Sequence, residues 1–164
     1  MTRPTAPVAS RGIVAILLMV IPLSQIPLDA YTPALPDMAT ELGSTSTTLQ
    51  NTVTAYMLGM ALAFIPVGVI SDAVGRKPVL LVCLSIVVAT SLGCSVSDDV
   101  ITLLVLRFLQ GCGACACLVL AYAIAADCFA GTRLIAVSGL LGAAWGVAPV
   151  LAPAIGGLLV QFIS

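Results

Sequence analysis

The chain has 164 residues, of which 60% are hydrophobic and 8% are charged, with six basic side chains, seven acidic ones and no histidine. Soluble domains carry about 25% charged residues, so this composition excludes both a soluble globular domain and a disordered chain. Nucleic-acid binding needs a basic patch, which six dispersed cations cannot form. The composition therefore predicts an all-α, polytopic membrane protein.

Five apolar stretches are long enough to cross a bilayer, whose hydrocarbon core of about 30 Å needs about 20 helical residues. We predict spans at residues 12–35, 49–70, 78–96, 100–126 and 134–162. The segments between them are short and leave no room for a soluble domain. We therefore expect a single domain over residues 1–164, built as one helical bundle in which abundant Gly and Ala allow close helix approach.

Prolines interrupt three of the predicted spans. They are Pro22, Pro27 and Pro33 in the first, Pro66 in the second, and Pro149 and Pro153 in the fifth. Broken helices of this kind are common in transporters. They also occur in bundles that transport nothing, so proline alone does not decide the function.

The basic residues outside the spans predict the orientation of the chain. Arg3 and Arg11 precede the first span, Arg76 and Lys77 separate the second from the third, and Arg133 separates the fourth from the fifth. The other two connections contain no Lys or Arg. We therefore predict a multi-pass protein of the cytoplasmic (inner) membrane, with a cytoplasmic N-terminus.

Two charged residues lie inside predicted spans at matching depth. Asp29 is seven residues before the end of the first span at Pro36, and Arg107 is seven residues after Val100. Both are therefore roughly 10 Å from the outer boundary. Because each charge costs about 2.5–3.5 kcal/mol near mid-bilayer, we expect either mutual pairing or a shared aqueous cavity. The pair is either a proton or substrate site, with Asp29 as the group that titrates, or a purely structural ion pair.

Polar neighbours extend both positions along their helices. Gln25, Asp29 and Thr32 are spaced i, i+4 and i+7 on one face of the first span, and Gln110 shares a face of the fourth with Arg107. Two polar faces at one depth favour a lined pathway. Interhelical hydrogen bonding without a cavity is the alternative.

The connection between the second and third spans carries a dense motif. Gly68, Asp72, Gly75, Arg76 and Lys77 lie within ten residues. Glycine at position 68 allows a partner backbone to approach, and glycine at position 75 permits a tight turn. An ordinary positively charged loop does not require this spacing.

A carboxylate partner for Arg76 is available across the bundle. Asp127 lies at the cytoplasmic end of the fourth span, on the same side of the membrane as the loop between the second and third spans. We therefore expect an ion pair between Arg76 and Asp127.

This loop resembles the signature between the second and third helices of the major facilitator superfamily, which reads Gly, three residues, Asp, a basic residue, any residue, Gly, Arg, and Arg or Lys. Five positions match, and Ala73 stands where the family has a basic residue. The resemblance implies that the motif gates the cytoplasmic side, as a latch that holds it closed.

Two further stretches are similar to signatures of the same family. Residues 107–114, Arg-Phe-Leu-Gln-Gly-Cys-Gly-Ala, resemble its fourth-helix signature, in which the Arg is associated with proton coupling. Gly139, Pro153, Gly156 and Gly157 resemble its antiporter signature in the fifth helix, although Ala148 and Ala152 replace two glycines.

The end of the first span, residues 28–36, together with residues 56–59, resembles the bicyclomycin and chloramphenicol resistance (Bcr/CflA) group of proton-coupled drug exporters. The resemblance implies antiport of small drug-like compounds against protons, with Asp29 as the coupling site. The side chains implied at the site are Asp29, Arg107 and Gln110 for coupling, and Gln25, Tyr31, Thr32 and Tyr56 for the cavity wall. It implies no cofactor and no metal.

The family fold has twelve spans in two six-helix halves. The resemblance therefore implies that these five spans belong to the N-terminal half, that the C-terminal half is the missing partner, and that the chain alone does not transport. A proton-coupled nutrient importer of the same superfamily is one alternative. A membrane thiol oxidoreductase using Cys112 and Cys115, which share a helix face, is another.

Overall fold

The structure, a computed structural model, describes residues 7–41 and 43–163. Within these ranges it is helical and contains no strand. The α-helices are α1 (Pro7–Val20), α2 (Ile26–Asp29), α3 (Leu35–Glu41), α4 (Ser46–Val74), α5 (Arg76–Ser95), α6 (Val100–Cys128) and α7 (Gly131–Ile163).

Five helical segments are long and apolar enough to cross a membrane. They are Arg11–Ala34, Thr47–Val74, Arg76–Ser95, Val100–Cys128 and Gly131–Leu158. The prediction of five spans in a multi-pass membrane protein is confirmed. The second span is longer than the predicted residues 49–70, because the Thr45 hydroxyl accepts a hydrogen bond from the Thr48 N–H at the start of α4 and Gly75, at φ +106°, ends it.

Proline breaks the first span but not the others. The segment from α1 to α3 contains two 3₁₀ turns, at Ile21–Ser24 and Thr32–Ala34, on either side of the single turn of α2. Pro22 and Pro33 lie in the first two positions of these turns. In contrast, α4 continues through Pro66, and α7 continues through both of its prolines.

The helix α6 lies at the centre of the bundle. In its apolar stretch 56% of the residues are buried, against 17–28% in the other four spans. Small residues allow this position: a Cβ at Gly111 would overlap the carbonyl oxygen of Tyr56, so the backbones of α6 and α4 are in direct contact. The fourth span is therefore the scaffold on which the first, second and third spans meet.

A capped turn starts α6. The Thr102 N–H and hydroxyl both donate to Asp99 Oδ2, at 3.0 and 3.2 Å. The hydrogen bond from the backbone N–H of Thr102 holds the pKa of the Asp99 carboxyl below its usual value. This cap fixes the helix register that places Arg107 two turns further along.

Candidate functional site

A buried arginine forms the centre of the site. Arg107 on α6 is only 6% exposed. Its Nη1 donates to the carbonyl oxygen of Pro27 at 2.8 Å and to Gln110 Oε1 at 3.0 Å. The guanidinium lies 3.7 Å from the centre of the Tyr31 ring, within the range of a cation–π interaction. All three partners are neutral, so the charge of Arg107 is solvated by dipoles and a ring face.

Hydrogen bonds extend this cluster to four spans. Gln110 Nε2 donates to Ser91 Oγ on α5 at 2.7 Å. The Tyr31 hydroxyl lies 3.2 Å from Thr52 Oγ1 on α4. Gln110, which lies on α6, is itself buried. The network therefore fixes Arg107 relative to every span with which α6 packs on this side.

Of the two arrangements expected for Asp29 and Arg107, mutual pairing does not occur. Arg107 instead contacts Pro27 and Tyr31, the residues two before and two after Asp29. Arg107 therefore packs against the helical turn that carries Asp29. Pro27 and Tyr31 share one face of a helical turn, whereas Asp29 points about 200° away from both. This helical phase separates the two charges.

Both charged groups keep an atom without a partner. Asp29 Oδ2 and Arg107 Nε are buried and make no hydrogen bond within the part of the chain that the structure describes. Buried polar atoms are almost always paired, and an unpaired one points to a functional role or to a group that binds there. Asp29 and Arg107 are therefore a carboxylate and a cation that each have one buried atom able to form a further hydrogen bond.

The predicted polar face of the first span is partly open. Gln25 and Asp29 are half-buried, and Thr32 is exposed. The Thr32 hydroxyl donates to the carbonyl oxygen of Leu28 at 3.2 Å, which is a bond within its own helical turn. Each of these three side chains is thus at least partly accessible.

Tyr56 does not line a cavity, and this prediction is wrong. Its side chain is fully buried, and its hydroxyl donates to the carbonyl oxygen of Ser24 at 2.6 Å. The ring packs in a core cluster with Leu28, Val87 and Ala114. Tyr56 therefore joins α4 to the broken first span.

The cytoplasmic motif forms a second polar cluster. Arg76 Nε donates to Asp127 Oδ2 at 3.0 Å, which confirms the predicted ion pair, and Arg76 Nη1 pairs with Asp72 Oδ1 at 2.5 Å. Arg76 Nη1 also donates to the buried Ser71 Oγ at 2.7 Å. Lys77 is exposed.

The two glycines of the cytoplasmic motif, Gly68 and Gly75, have different structural roles. Gly75 adopts φ +106°, which confirms the expected tight turn. Gly68 is not in close backbone contact, because a Cβ there would lie 3.9 Å from Val119 Cγ1 at ordinary packing distance. The expectation of a close approach at Gly68 is therefore wrong.

Only one glycine of the fifth-span motif is at a close contact. A Cβ at Gly156 would overlap the carbonyl oxygen of Ala30, the residue that follows Asp29. A Cβ at Gly139 or Gly157 would meet no described atom within 4 Å, and Pro153 is half-buried. Gly156 thus brings α7 against the first span directly beside the candidate coupling residue.

An apolar cavity of about 190 Å³ lies next to this contact. It lies between the first span and α7, and its walls are Pro22, Ile26, Ala30, Ala144, Val147, Ala148, Leu151, Ala152 and Ile155. These side chains offer apolar surface to a ligand, whereas the polar groups of Asp29 and Arg107 are separate from the cavity lining.

Several partners in the site were not predicted from the sequence. Ser91, Thr52 and the backbone carbonyls of Ser24 and Pro27 all bind predicted site residues. Thr52 could have been identified, since it lies one helical turn before Tyr56 on α4. The carbonyls carry no sequence signal.

The thiol pair differs from a redox site. All six cysteines are free, and Cys115 is fully buried while Cys112 is half-buried. Disulfide exchange needs access for an attacking thiolate. Cys115 lacks that access, so nothing in the geometry favours the oxidoreductase alternative.

Comparison with known proteins identifies the relatives of this chain. Residues 14–164 match the Major Facilitator Superfamily. The chain is 38% identical over 144 residues to the uncharacterized MFS-type transporter YdgK of Bacillus subtilis (strain 168), which covers 87% of this chain and 36% of that protein. It is 35% identical over 143 residues to the chloramphenicol resistance protein of Pseudomonas aeruginosa, covering 87% of this chain and 34% of that protein.

A third relative is the multidrug resistance protein MdtL of Klebsiella pneumoniae (strain 342), which is 39% identical over 132 residues, covering 80% of this chain and 34% of that protein. The chain thus spans about a third of the length of the curated relatives that it matches.

Proposed function

Since the chain belongs to the major facilitator superfamily, we propose that it forms part of a proton-coupled exporter of small drug-like compounds in the cytoplasmic membrane. In this proposal its five spans transport only together with further helices, which correspond to the two thirds of each relative that the chain does not match. The names of the chloramphenicol and multidrug resistance relatives support this substrate class.

The buried, unpartnered Oδ2 of Asp29 is the observation that carries the proposal. An ionised carboxylate with a buried oxygen that accepts no hydrogen bond is costly, and binding of a proton lowers that cost. Asp29 therefore binds a proton when it faces one side of the membrane. It releases that proton when water or a substrate reaches the open face that it shares with Gln25 and Thr32.

Arg107 supplies a fixed positive charge for this exchange. Its contacts with Pro27, Gln110 and Tyr31 hold the guanidinium in place without neutralising it. A positive charge at the same depth favours the ionised form of Asp29 once an aqueous path opens. Arg107 and Gln110 thus set the position and the electric potential at the coupling site.

The membrane potential makes such a step useful. One elementary charge that crosses 100 mV releases about 2.3 kcal/mol, which is equivalent to about a 50-fold concentration gradient. Coupling of one inward proton to one outward substrate molecule is therefore sufficient for substantial export.

The cluster around Arg76 is the proposed cytoplasmic latch. Its pairs with Asp72 and Asp127 connect the α4–α5 loop to the end of α6. Separation of α5 from α6 on this side requires the Arg76–Asp127 bond to break. The proposed orientation places this latch and the N-terminus on the cytoplasmic side, in agreement with the distribution of Lys and Arg.

A chimera provides the test. This chain would replace the matching residues of the chloramphenicol resistance protein, and proton-driven chloramphenicol transport would be measured in inverted vesicles. Asp29→Asn should abolish accumulation above the level seen with a proton uncoupler. The exposed Asp98→Asn is the matched control and should transport normally.

Wild-type accumulation by the Asp29→Asn chimera would show that Asp29 is not the coupling site. Accumulation that the uncoupler leaves unchanged would contradict proton coupling. Transport only in the opposite direction would favour the importer.

A further inference from the structure

Two backbone contacts hold the helical turn that carries Asp29. On one side, Arg107 Nη1 of α6 donates to the carbonyl oxygen of Pro27 at 2.8 Å. On the other side, Gly156 of α7 packs against the backbone of Ala30, where an added Cβ would overlap the carbonyl oxygen and lie 3.1 Å from the carbonyl carbon. Asp29 therefore lies between two backbone positions that different helices hold.

This turn is separate from the rest of the first span. The helix α2 has only four residues, and a 3₁₀ turn lies on each side of it, at Ile21–Ser24 and Thr32–Ala34. The α-helical hydrogen-bond ladder therefore does not run unbroken from α1 through α2 into α3. Because no continuous helix fixes the turn, its position depends on the contacts that neighbouring helices make with it.

The contact at Gly156 leaves no room for a side chain. Gly156 is buried, and the atoms that a Cβ would meet belong to the Ala30 backbone. A flexible side chain could rotate away from a new methyl group, but a backbone carbonyl moves only with the turn to which it belongs. A methyl group at position 156 must therefore displace either α7 or the turn that carries Asp29.

The helix α7 acts on this turn by position and not by charge. Its last ionisable side chain is Arg133, close to its start, and the 3₁₀ turn before α2 has none. The ionisable side chains that the other elements bring to the turn are Arg107 of α6, Tyr56 of α4 and Tyr31 of the first span. The third span, α5, contributes the apolar Val87 to the core cluster of this turn.

We propose that Gly156 is a positioning residue for Asp29. The absence of a side chain lets α7 press against the turn, and this contact sets how far the Asp29 carboxyl lies from water. Gly156 thereby tunes the proton affinity of Asp29 without touching the proton or the substrate. The effect on Asp29 follows from the contact alone, whereas its consequence for transport rests on the proposed function.

Protonation of Asp29 in the 164-residue chain gives the first test. Dicyclohexylcarbodiimide modifies protonated carboxyl groups, so mass spectrometry of the peptide that carries Asp29 would follow its labelling against pH in nanodiscs. Gly156→Ala separates α7 from the turn and admits water, which favours the ionised carboxylate. The midpoint of labelling should therefore fall by about one pH unit, which is a 10-fold loss of proton affinity.

Matched variants separate this effect from a general change in α7. Gly146→Ala adds the same methyl group to the same helix, where it meets no described atom within 4 Å, and should leave the midpoint unchanged. Ala152→Val enlarges a buried side chain one helical turn before Gly156, in the wall of the cavity beside Ala30. It should lower the midpoint by a smaller amount, because the cavity accommodates part of the larger side chain.

Unfolding by SDS, followed by circular dichroism, would show which variants are folded. If Gly156→Ala does not fold, Ala152→Val decides the result. An unchanged midpoint in the folded Gly156→Ala or, failing that, Ala152→Val variant would overturn the proposal. An equal fall in Gly146→Ala would also overturn it, because the effect would then come from α7 as a whole.

The chimera tests the consequence for transport. In Gly156→Ala the pH profile of proton-driven chloramphenicol transport should shift by the same amount as the labelling midpoint, whereas a weaker fold alone would lower the rate at every pH. A shifted midpoint with an unshifted transport profile would support the positioning role of Gly156 and contradict the proposed role of Asp29 in coupling.

Discussion

Two arginines of this chain have opposite surroundings. Arg76 lies at the end of the bundle with 26% of its side chain exposed, and it binds the carboxylates of Asp72 and Asp127. Arg107 lies inside the bundle at 6% exposure, and it binds the carbonyl of Pro27, the amide of Gln110 and the face of Tyr31.

This difference separates an arginine that carboxylates neutralise from one that only neutral groups bind. The carboxylates neutralise Arg76, so the interaction is local and can break when the helices move. Only neutral groups bind Arg107, so its charge is not neutralised by these contacts. The more costly arrangement is the one inside the membrane, where an ionisable residue indicates function.

The largest expected effect is on transport by the chimera. Arg107→Gln should reduce proton-driven transport at least about 100-fold, which corresponds to about 2.7 kcal/mol, because an amide cannot supply the fixed charge. Arg76→Gln should reduce transport only about 10-fold, since it weakens the proposed latch and leaves the proposed coupling site intact. Initial rates of chloramphenicol uptake into inverted vesicles measure both.

Arg107→Lys refines this prediction. A lysine keeps the positive charge but cannot donate two directed hydrogen bonds and stack on Tyr31 at once. We expect an intermediate rate. Equal rates for Arg107→Gln and Arg76→Gln would remove the distinction between the two arginines.

The next largest effect concerns the helix contact that encloses Arg107. Gly111→Ala places a methyl group against the Tyr56 carbonyl oxygen, so α4 and α6 must move apart, at a cost of about 1–3 kcal/mol. Gly139→Ala is the matched control, because its methyl group meets no described atom within 4 Å. Unfolding of the 164-residue chain by SDS in mixed micelles, followed by circular dichroism, gives both free energies.

The sequence was sufficient for the spans and for the ion pair of the cytoplasmic loop, because the lengths and ends of the apolar stretches determine both. The length of the apolar stretches gives five spans, and the position of Asp127 at the end of the fourth span gives its pair with Arg76. The separation of Asp29 from Arg107 depends instead on the rotation of a short helical turn between two 3₁₀ turns. Sequence spacing gives the depth of Asp29 but not this rotation.

The burial of Tyr56 has a similar cause. In a continuous α-helix the Ser24 carbonyl would accept from the Leu28 N–H, but that N–H donates to the Gln25 carbonyl instead. The Tyr56 hydroxyl then donates to the Ser24 carbonyl. A tyrosine can be fully buried when its hydroxyl has a partner, and here the partner exists because the first span is broken.

Loss of the hydrogen bond between Tyr56 and Ser24 should lower the free energy of unfolding by a smaller amount, which the same SDS unfolding assay can measure. Tyr56→Phe should destabilise the chain by about 0.6–1.5 kcal/mol, the range for interhelical hydrogen bonds in membrane proteins and for buried hydrogen bonds generally. Tyr122→Phe is the control, since the structure shows no hydrogen bond for that hydroxyl within the described residues. A Tyr56→Phe variant as stable as the wild type would contradict the assignment of this bond.

The smallest effect is expected at the exposed ion pair, and its salt dependence distinguishes the two arginines. A double-mutant cycle of Arg76→Ala and Asp127→Ala should give a coupling free energy of about 0.5 kcal/mol, because the Asp127 side chain is 55% exposed. Added salt at about 1 M shortens the screening length to about 3 Å and should reduce this coupling towards zero.

A parallel cycle of Arg107→Ala and Gln110→Ala should be unaffected by salt, since both side chains are buried and Gln110 is uncharged. Equal salt sensitivity in the two cycles would mean that water and ions reach Arg107 in the resting protein, and its charge would then be screened as Arg76 is.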